Sequence, residues 1–270
     1  MSKNNWNKEM QKFIASLSNE NGVWSDPSFP VDNTFEENYL AVREKENRVY
    51  SDSEVSRLPE LTGHEHSNEW KLRDKSLKRV MEYFRNFSGK TILDLGCGNG
   101  WFANKLSTVP GNFVMGLDVN RPELEQAARV LSKENLIFVN GNLFELPLPE
   151  NCFDVVTLNA SVQYFEKLKV LIERLFCLMA PTGEIHLIDS PFYSAEHQQQ
   201  AAERTRKYYE MKGIPEMAGQ YFHHTYDELK PFDHQYLYKP HKKSRILQAI
   251  SGRDIPFPWI KIIKTEHVDQ

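Results

Sequence analysis

The chain has 270 residues, of which 40% are hydrophobic and 26% are charged, and its formal net charge of −4 argues against a non-specific nucleic-acid surface, which needs a basic face. No apolar run approaches the ~20 residues of a membrane span, and the first residues lack the apolar core of a secretory signal. The three cysteines show neither CxxC nor zinc spacing, so we expect a cytoplasmic protein with no membrane or nucleic-acid partner.

Residues 1–87 predict helices that precede the main fold. Near the start, apolar residues repeat at helical spacing, at Trp6, Met10, Phe13, Ile14 and Leu17. A breaker-rich link over 22–30 follows, and further helices are predicted over 36–48 and 69–87. Because this segment is too long to be a single first helix, we predict that it forms a helical cap over a site built by residues 88–270.

Residues 91–102 predict a strand, a tight turn and the start of a helix. An apolar run ends at Asp94, glycines stand at positions 96, 98 and 100, and a helix-compatible segment begins at Phe102. Glycines let the backbone approach a ligand closely, and a helix N-terminus offers free N–H groups to it. A dinucleotide fingerprint would need glycine at 101, where Trp stands, and the phosphate-loop pattern is absent. Neither NAD nor a nucleoside triphosphate is therefore favoured.

Three later strands also end in polar residues. An apolar strand ends at Asp118, and an acid at the end of the second strand of such a sheet can accept both ribose hydroxyls. The next strand leads to Asn142, whose amide can both accept and donate hydrogen bonds. The strand that begins at Phe153 ends at Asn159, and a further turn and strand follow over 181–190.

Together these segments resemble the ordered motifs of the class I S-adenosylmethionine (SAM)-dependent methyltransferases of the small-molecule, type 11/25-like kind. The D-x-G-x-G-x-G of 94–100 resembles motif I, and Gly116 to Asn120 fits the pattern G-[VIL]-D-x-[SN]. Residues 137–147 resemble the strand-then-G-D-x-x-x-L-P segment, with Asn142 in place of its acid. Residues 153–164 and 181–190 resemble the fourth and fifth strands.

The resemblance implies a fold as well as an activity. The fold would be α/β: a Rossmann-like, doubly wound, seven-stranded sheet in the order 3-2-1-4-5-7-6, with the last strand antiparallel. The polar and aromatic residues 191–224 would form a lid-like insert after strand five. Residues 236–238 and 259–263 would form the last two strands.

The resemblance further implies where SAM, and its product S-adenosyl-L-homocysteine (SAH), would bind. The turn would hold the methionine end, Asp118 the ribose, Val119 and Asn142 the adenine, and Asn159 the region of the sulfonium. An arginine before the first strand would clamp the donor carboxylate with two hydrogen bonds, although a solvated helix position is the alternative. The implied donor-binding residues are Asp94, Gly96, Cys97, Gly98, Gly100, Asp118, Val119, Asn142, Leu143, Asn159 and Arg73.

Methyl transfer from a sulfonium requires a dedicated base only if the acceptor atom is protonated. His223, His224 and Tyr193, in and beside the insert, are our candidates, and Tyr164 and His186 are weaker ones. A histidine within a strand, such as His186, is more typical of a satisfied core residue. The sequence 64–66 (His-Glu-His) offers two ligands without a third, so no metal site is predicted.

Two absences narrow the acceptor class. The [DN]-P-P-[YFW] tetrapeptide of amino methyltransferases does not follow strand four; the similar stretch 189–192 follows strand five. The paired acids of magnesium-dependent enzymes are also missing there. These absences favour a metal-independent enzyme with a small-molecule acceptor, which remains unidentified, as does the oligomeric state.

Other functions remain open because a fold does not fix function. A protein or tRNA methyltransferase is one, since four basic residues precede the last strand and could meet an acidic partner: Lys239, Lys242, Lys243 and Arg245. A non-catalytic SAM-binding protein is another, against which the intact motif I argues. Carboxy-SAM or decarboxylated-SAM chemistry on the same fold is a third.

Overall fold

The computed structural model describes residues 6–28, 34–240 and 254–264. The strands are β1 (Ser18–Glu20), β2 (Val23–Ser25), β3 (Thr91–Leu95), β4 (Phe113–Asp118), β5 (Leu136–Asn140), β6 (Phe153–Asn159), β7 (Met179–Ile188), β8 (His234–Tyr238) and β9 (Trp259–Ile263). The helices are α1 (Lys8–Ser16), α2 (Thr34–Lys45), α3 (Asp52–Val55), α4 (Ser67–Phe84), α5 (Trp101–Leu106), α6 (Arg121–Val130), α7 (Leu168–Leu178) and α8 (Ala195–Lys212). Short 3-10 turns lie at Val162–Tyr164, Pro215–Gln220 and Tyr226–Leu229.

One sheet joins all nine of these strands, in the order β1-β2-β5-β4-β3-β6-β7-β9-β8. The stretch from β5 to β8 reproduces the predicted order 3-2-1-4-5-7-6, and β9 runs antiparallel to β7 as expected for the last strand. The five strands β3 to β7 are all parallel to one another. The predicted α/β fold is therefore confirmed.

The predicted count of seven strands is wrong, because the N-terminal segment adds a hairpin to the sheet. Asn21 and Gly22 both have positive φ, 53° and 84°, which is the turn chemistry of a two-residue hairpin. β1 pairs with β2 antiparallel, and β2 pairs with β5 in parallel. Val23 is fully buried there. The start of the predicted 22–30 link is thus a strand that covers the edge of the sheet, and residues 1–87 are not purely helical.

The two faces of the sheet bury separate hydrophobic cores, because successive strand residues point to opposite faces. Leu93 of β3 packs with α1 and α7 in one core. Its neighbour Ile92 packs with α4, α5 and α6 in the other. Residues of α1 therefore belong to the main core, and the division of the chain at residue 87 stays a prediction.

Helix α2 and the insert after β7 pack against each other. Val42 of α2 is buried with Tyr209, Ile214 and Met217 of the insert. Beside this cluster, Lys45 Nζ donates to the Lys212 carbonyl at 2.6 Å. Of the N-terminal segment, helix α2 is thus the part that packs on the insert.

A buried polar network lies at the β7–β9 side of the sheet. His186 is fully buried; its Nε2 is 3.1 Å from Glu184 Oε2, and Trp259 Nε1 donates to its Nδ1 at 3.1 Å. Tyr83 and Lys261 donate to the same Glu184 carboxylate at 2.8 and 3.2 Å. Because Nδ1 accepts a hydrogen bond, the ring proton belongs on Nε2 and the imidazole is neutral.

Acidification should therefore destabilise the fold through His186. Burial lowers the pKa of His186 below its ordinary value of 6.5, so below about pH 6.5 the unfolded chain binds a proton that the folded chain does not. The free energy of unfolding should fall by at most ~1.4 kcal/mol per pH unit from this group. Urea unfolding of wild type and His186→Gln between about pH 8 and 5 checks this, since the variant should lose that dependence. A pH-independent difference between the two proteins would contradict it.

No helix in the described ranges is long and apolar enough to cross a membrane. The cytoplasmic location remains a prediction. Of the basic residues that precede β9, Lys242, Lys243 and Arg245 lie outside the described residues.

Candidate active site

A cavity of about 860 Å³ lies at the carboxyl ends of β3, β4, β5 and β6. Ligands of doubly wound sheets bind in this position, outside the carboxyl ends of the strands, and the volume is within the ~300–1,000 Å³ range of small-molecule sites. Helices α2 and α4 supply further walls. The predicted donor-contacting residues that line the cavity are Arg73, Gly96, Cys97, Gly98, Asp118, Val119, Asn142, Leu143 and Asn159.

The glycine loop after β3 is held close to its neighbours. Gly96 has φ +70°, and a Cβ placed there would lie 2.5 Å from the Cβ of Ser161, so a side chain does not fit. The Gly96 N–H donates to the Leu117 carbonyl at 2.8 Å, and the Gly98 N–H donates to Asp118 Oδ2 at 2.7 Å. The loop backbone therefore borders the cavity directly.

Asp118 ends β4 with its carboxylate fixed by the backbone. Oδ2 accepts from the Gly98 N–H at 2.7 Å, and Oδ1 accepts from the Asn120 N–H at 2.8 Å. Burial raises the pKa of this carboxyl, and these backbone donors oppose the rise. Each oxygen of a carboxylate keeps a further lone pair. Asp118 can therefore accept two more hydrogen bonds from a ligand in the cavity.

The loop after β5 uses its asparagine partly for its own turn. Asn142 Oδ1 accepts from the Phe144 N–H at 3.0 Å, and Asn142 Nδ2 donates to Glu145 Oε1 at 3.0 Å. One lone pair on Oδ1 remains for an adenine amino group. Val119 and Leu143 border the same part of the cavity and offer it apolar surface.

Asn159 and Arg73 complete the predicted donor set. Neither amide atom of Asn159 finds a hydrogen-bond partner in the described part of the chain, although both are buried. Buried polar atoms are normally paired, so this side chain is suited to a ligand. Arg73 already has a partner, since its Nε and Nη2 donate to Glu69 Oε1 at 3.1 Å each.

Asp94 and Gly100 do not line the cavity. Asp94 is buried below the loop, where Thr157 Oγ1 donates to its Oδ1 at 2.8 Å, and burial raises its pKa to about 7. Gly100 is the N-cap of α5 with φ +72°, and its Cα faces Phe138 and Ala127. Their contacts indicate that these two residues shape the loop rather than touch a ligand.

None of the three favoured catalytic candidates lines the cavity. His223 Nε2 is 2.8 Å from Thr205 Oγ1, within the insert. His224 is 2% exposed and lies between Glu228 Oε2, at 3.1 Å, and the Val162 carbonyl, at 3.2 Å. Tyr193 is half-buried against His223. The hydrogen bonds of His223 and His224 thus hold the insert together and join it to the 3-10 turn after β6.

Tyr164, a weaker candidate, does line the cavity. Burial raises its pKa to about 12, so its hydroxyl stays protonated at neutral pH. His186 lies in the buried network described above and not at the cavity. His64 and His66 contact each other, and His66 Nε2 lies 2.6 Å from the Glu46 carbonyl. Within the described ranges, no group of three His, Cys, Asp or Glu residues is placed to hold a metal.

Sequence reasoning did not single out the residues that α2 brings to the cavity. Phe35, Tyr39 and Arg43 all line it, and Glu123 of α6 forms an ion pair with Arg43 at 3.6 Å. The spacing of 35, 39 and 43 places these side chains on one helix face, a signal that was present in the sequence. What that face meets depends on contacts far along the chain.

Comparisons with known proteins agree with this geometry. A family model described as "Methyltransferase domain" matches residues 93–187. The demethylmenaquinone methyltransferase of Lactococcus lactis is 31% identical over 126 residues, which cover 45% of this chain and 50% of that protein. That of Oceanobacillus iheyensis is 31% identical over 124 residues, which cover 44% and 52%. The chain thus spans about half the length of the curated relatives it matches.

Solved structures share the fold at low sequence identity. A SAM-dependent methyltransferase from Methanococcus maripaludis, described as putative, covers 86% of this chain and 95% of its own, with a TM-score of 0.51 and 14% identity. A geranyl diphosphate C-methyltransferase from Streptomyces coelicolor covers 76% and 82%, with a TM-score of 0.52 and 14% identity. Residues 93–187 therefore match a methyltransferase domain, and the solved structures share the fold that contains it.

Proposed function

We propose that the protein transfers the methyl group of SAM to a small-molecule acceptor and releases SAH. One observation carries the proposal: the glycine loop, the Asp118 carboxylate and the unpartnered amide of Asn159 border a single cavity. This set fits SAM, because it offers a closely approachable backbone, an acceptor pair for ribose hydroxyls and a buried amide for polar groups near the methionine.

When bound, SAM supplies a methyl group on a positively charged sulfur, so the leaving group is already activated. The chain's task is alignment. Asp118, held by two backbone N–H groups, fixes the ribose, and the loop at Gly96 and Gly98 supports the methionine chain. Asn159 orients polar groups beside the reacting centre. Correct placement of two reactants can lower the activation barrier by ~7–11 kcal/mol. Orientation of donor and acceptor can therefore account for much of the catalysis.

Helix α2 closes the acceptor side of the cavity. Phe35 and Tyr39 of α2 meet Tyr164 edge-on, with ring centroids 5.8 and 5.7 Å apart. These rings exclude water from the space beside the loop, which strengthens the electrostatic interactions there. The protonated Tyr164 hydroxyl can donate a hydrogen bond to the acceptor. We assign no residue as a general base.

The acceptor is proposed only as a class. The curated relatives are named for demethylmenaquinone, and we extend from them the small-molecule nature of the acceptor. The predicted independence from metal and the absence of a nucleic-acid partner remain part of this proposal.

Transfer of radioactive methyl from labelled SAM tests the proposal. Purified protein is incubated with a low-molecular-weight cell extract, with tRNA and with protein, and the label in each is measured against an Asp118→Ala control. We expect label in the small-molecule fraction only. Label in tRNA or protein would favour a macromolecular acceptor, and SAH binding without transfer to any fraction would favour a non-catalytic binding protein.

A further inference from the structure

Four arginines line the cavity, and their hydrogen-bond partners differ. Arg48 gives both terminal nitrogens to Glu69, at 3.0 and 2.6 Å. Arg73 bonds the same carboxylate, and Arg121 bonds Glu125 and Glu20, at 3.0 and 2.9 Å. Three of the four are therefore closely paired with carboxylates, and Arg43 is the fourth.

Arg43 has donors without partners. Its Nη2 lies 3.6 Å from Glu123 Oε1, beyond the ~2.7–2.9 Å of a charge-assisted hydrogen bond. Its Nε is buried and has no hydrogen-bond partner among the residues described, while the side chain as a whole is 18% exposed. A buried cation whose N–H groups lack hydrogen-bond acceptors carries a large desolvation cost. The guanidinium is therefore prepared for an anion that enters the cavity.

The surroundings of Arg43 indicate what accompanies that anion. Its guanidinium lies over the rings of Tyr39 and Tyr50, 5.7 and 6.0 Å from their centroids. Tyr39 in turn stacks with Phe35 and meets Tyr164 edge-on. A planar fork of donors beside aromatic rings suits a flat molecule that carries a carboxylate or phosphate.

We propose that Arg43 binds a carboxylate or phosphate of the methyl acceptor, so that the acceptor is an anionic, ring-containing small molecule. This inference rests on the proposed function and deepens it. The donor also has a carboxylate, which we assign to Arg73 on α4. Arg43 lies on α2 beside the rings of Phe35 and Tyr39, and we assign it to the acceptor.

Benzoate and phenyl phosphate are suitable probes, with benzamide as the neutral match. Each is titrated by saturation-transfer NMR into protein saturated with SAH. We expect wild type to bind at least one anionic probe about tenfold or more tightly than benzamide, and Arg43→Gln to lose that preference. Arg43→Lys should retain part of it, since charge remains and the fork is lost. Lys71→Gln removes an exposed charge from α4 outside the cavity and should keep the full preference.

A second titration separates the acceptor from the donor. SAH and 5′-methylthioadenosine, which lacks the amino-acid tail, are titrated into wild type and Arg43→Gln by calorimetry. We expect unchanged affinities for both, which also shows that the variant is folded. A selective loss of SAH affinity would assign Arg43 to the donor and overturn the inference. In the first titration, an anion preference that is equal in wild type and Arg43→Gln, or absent from both, would also overturn it. Failure of wild type to bind SAH would instead refute the proposed function.

Discussion

Replacing Asp118 with Ala should weaken SAM and SAH binding by at least about 100-fold. A carboxylate that accepts two ribose hydroxyls contributes about 1.5–3 kcal/mol for each hydrogen bond to a charged group, and two such bonds correspond to ~10²–10⁴-fold in affinity. The substitution also removes the acceptor of the Gly98 N–H, bonded at 2.7 Å, so the loop loses its anchor to β4. Calorimetric titration of both ligands into wild type and variant measures the effect.

Two further variants sharpen this prediction. Asp118→Asn keeps an oxygen for the Asn120 N–H and removes the charge, so its affinity should lie between those of wild type and Asp118→Ala. Asp52→Ala removes an acid that pairs with Arg129 and does not line the cavity. It should leave both affinities unchanged, because exposed ion pairs contribute little to stability. Wild-type affinity in a folded Asp118→Ala protein would contradict the assignment of Asp118 to the donor site.

The donor side of the site could be predicted because its signals are local. A parallel sheet brings the ends of β3, β4 and β6 to one edge, so polar residues at those ends meet. Gly96, Asp118 and Asn159 were found in this way, and all three line the cavity. The same reasoning could not show that Asp94 stays below the loop, because its bond to Thr157 depends on the register in which β3 pairs with β6.

The acceptor side could not be predicted, because it depends on long-range packing. Arg43 and Tyr39 reach the cavity because α2 packs on the insert. The hydrogen bond between Lys45 and Lys212 in that contact joins residues 167 positions apart. Conversely, His224 was favoured for its place beside the insert. Its contacts with Glu228 and the Val162 carbonyl show a residue that holds the insert to the 3-10 turn after β6.

The N-terminal hairpin was missed although its signal was present. Asn21-Gly22 is the dipeptide that most strongly indicates a two-residue hairpin, yet the short strands on either side carry little alternation. β1 and β2 have three residues each, too few for a period to emerge. Pairing with β5 stabilises them in the fold, and that partner lies more than a hundred positions later.

Gly100→Ala should destabilise the fold by about 2–5 kcal/mol. At φ +72° a Cβ would lie 2.5 and 2.6 Å from two carbons of the Phe138 ring and 2.9 Å from the Ala127 Cβ. Phe138 is 2% exposed and sits in β5, so it cannot move aside without disturbing the core. Overpacking costs ~1–3 kcal/mol, and the left-handed backbone costs a further ~1–2 kcal/mol for a residue with a side chain.

Gly63→Ala separates these two costs. Gly63 has φ +75°, almost the same backbone conformation, but a Cβ there would meet no described atom within 4 Å. This variant should therefore lose only the ~1–2 kcal/mol of the left-handed backbone. Urea unfolding of both variants gives the two free energies, and their difference is the packing cost of the closely fitted start of α5. Equal losses would mean that Phe138 yields to the added methyl group, and that the third glycine is required for its backbone conformation alone.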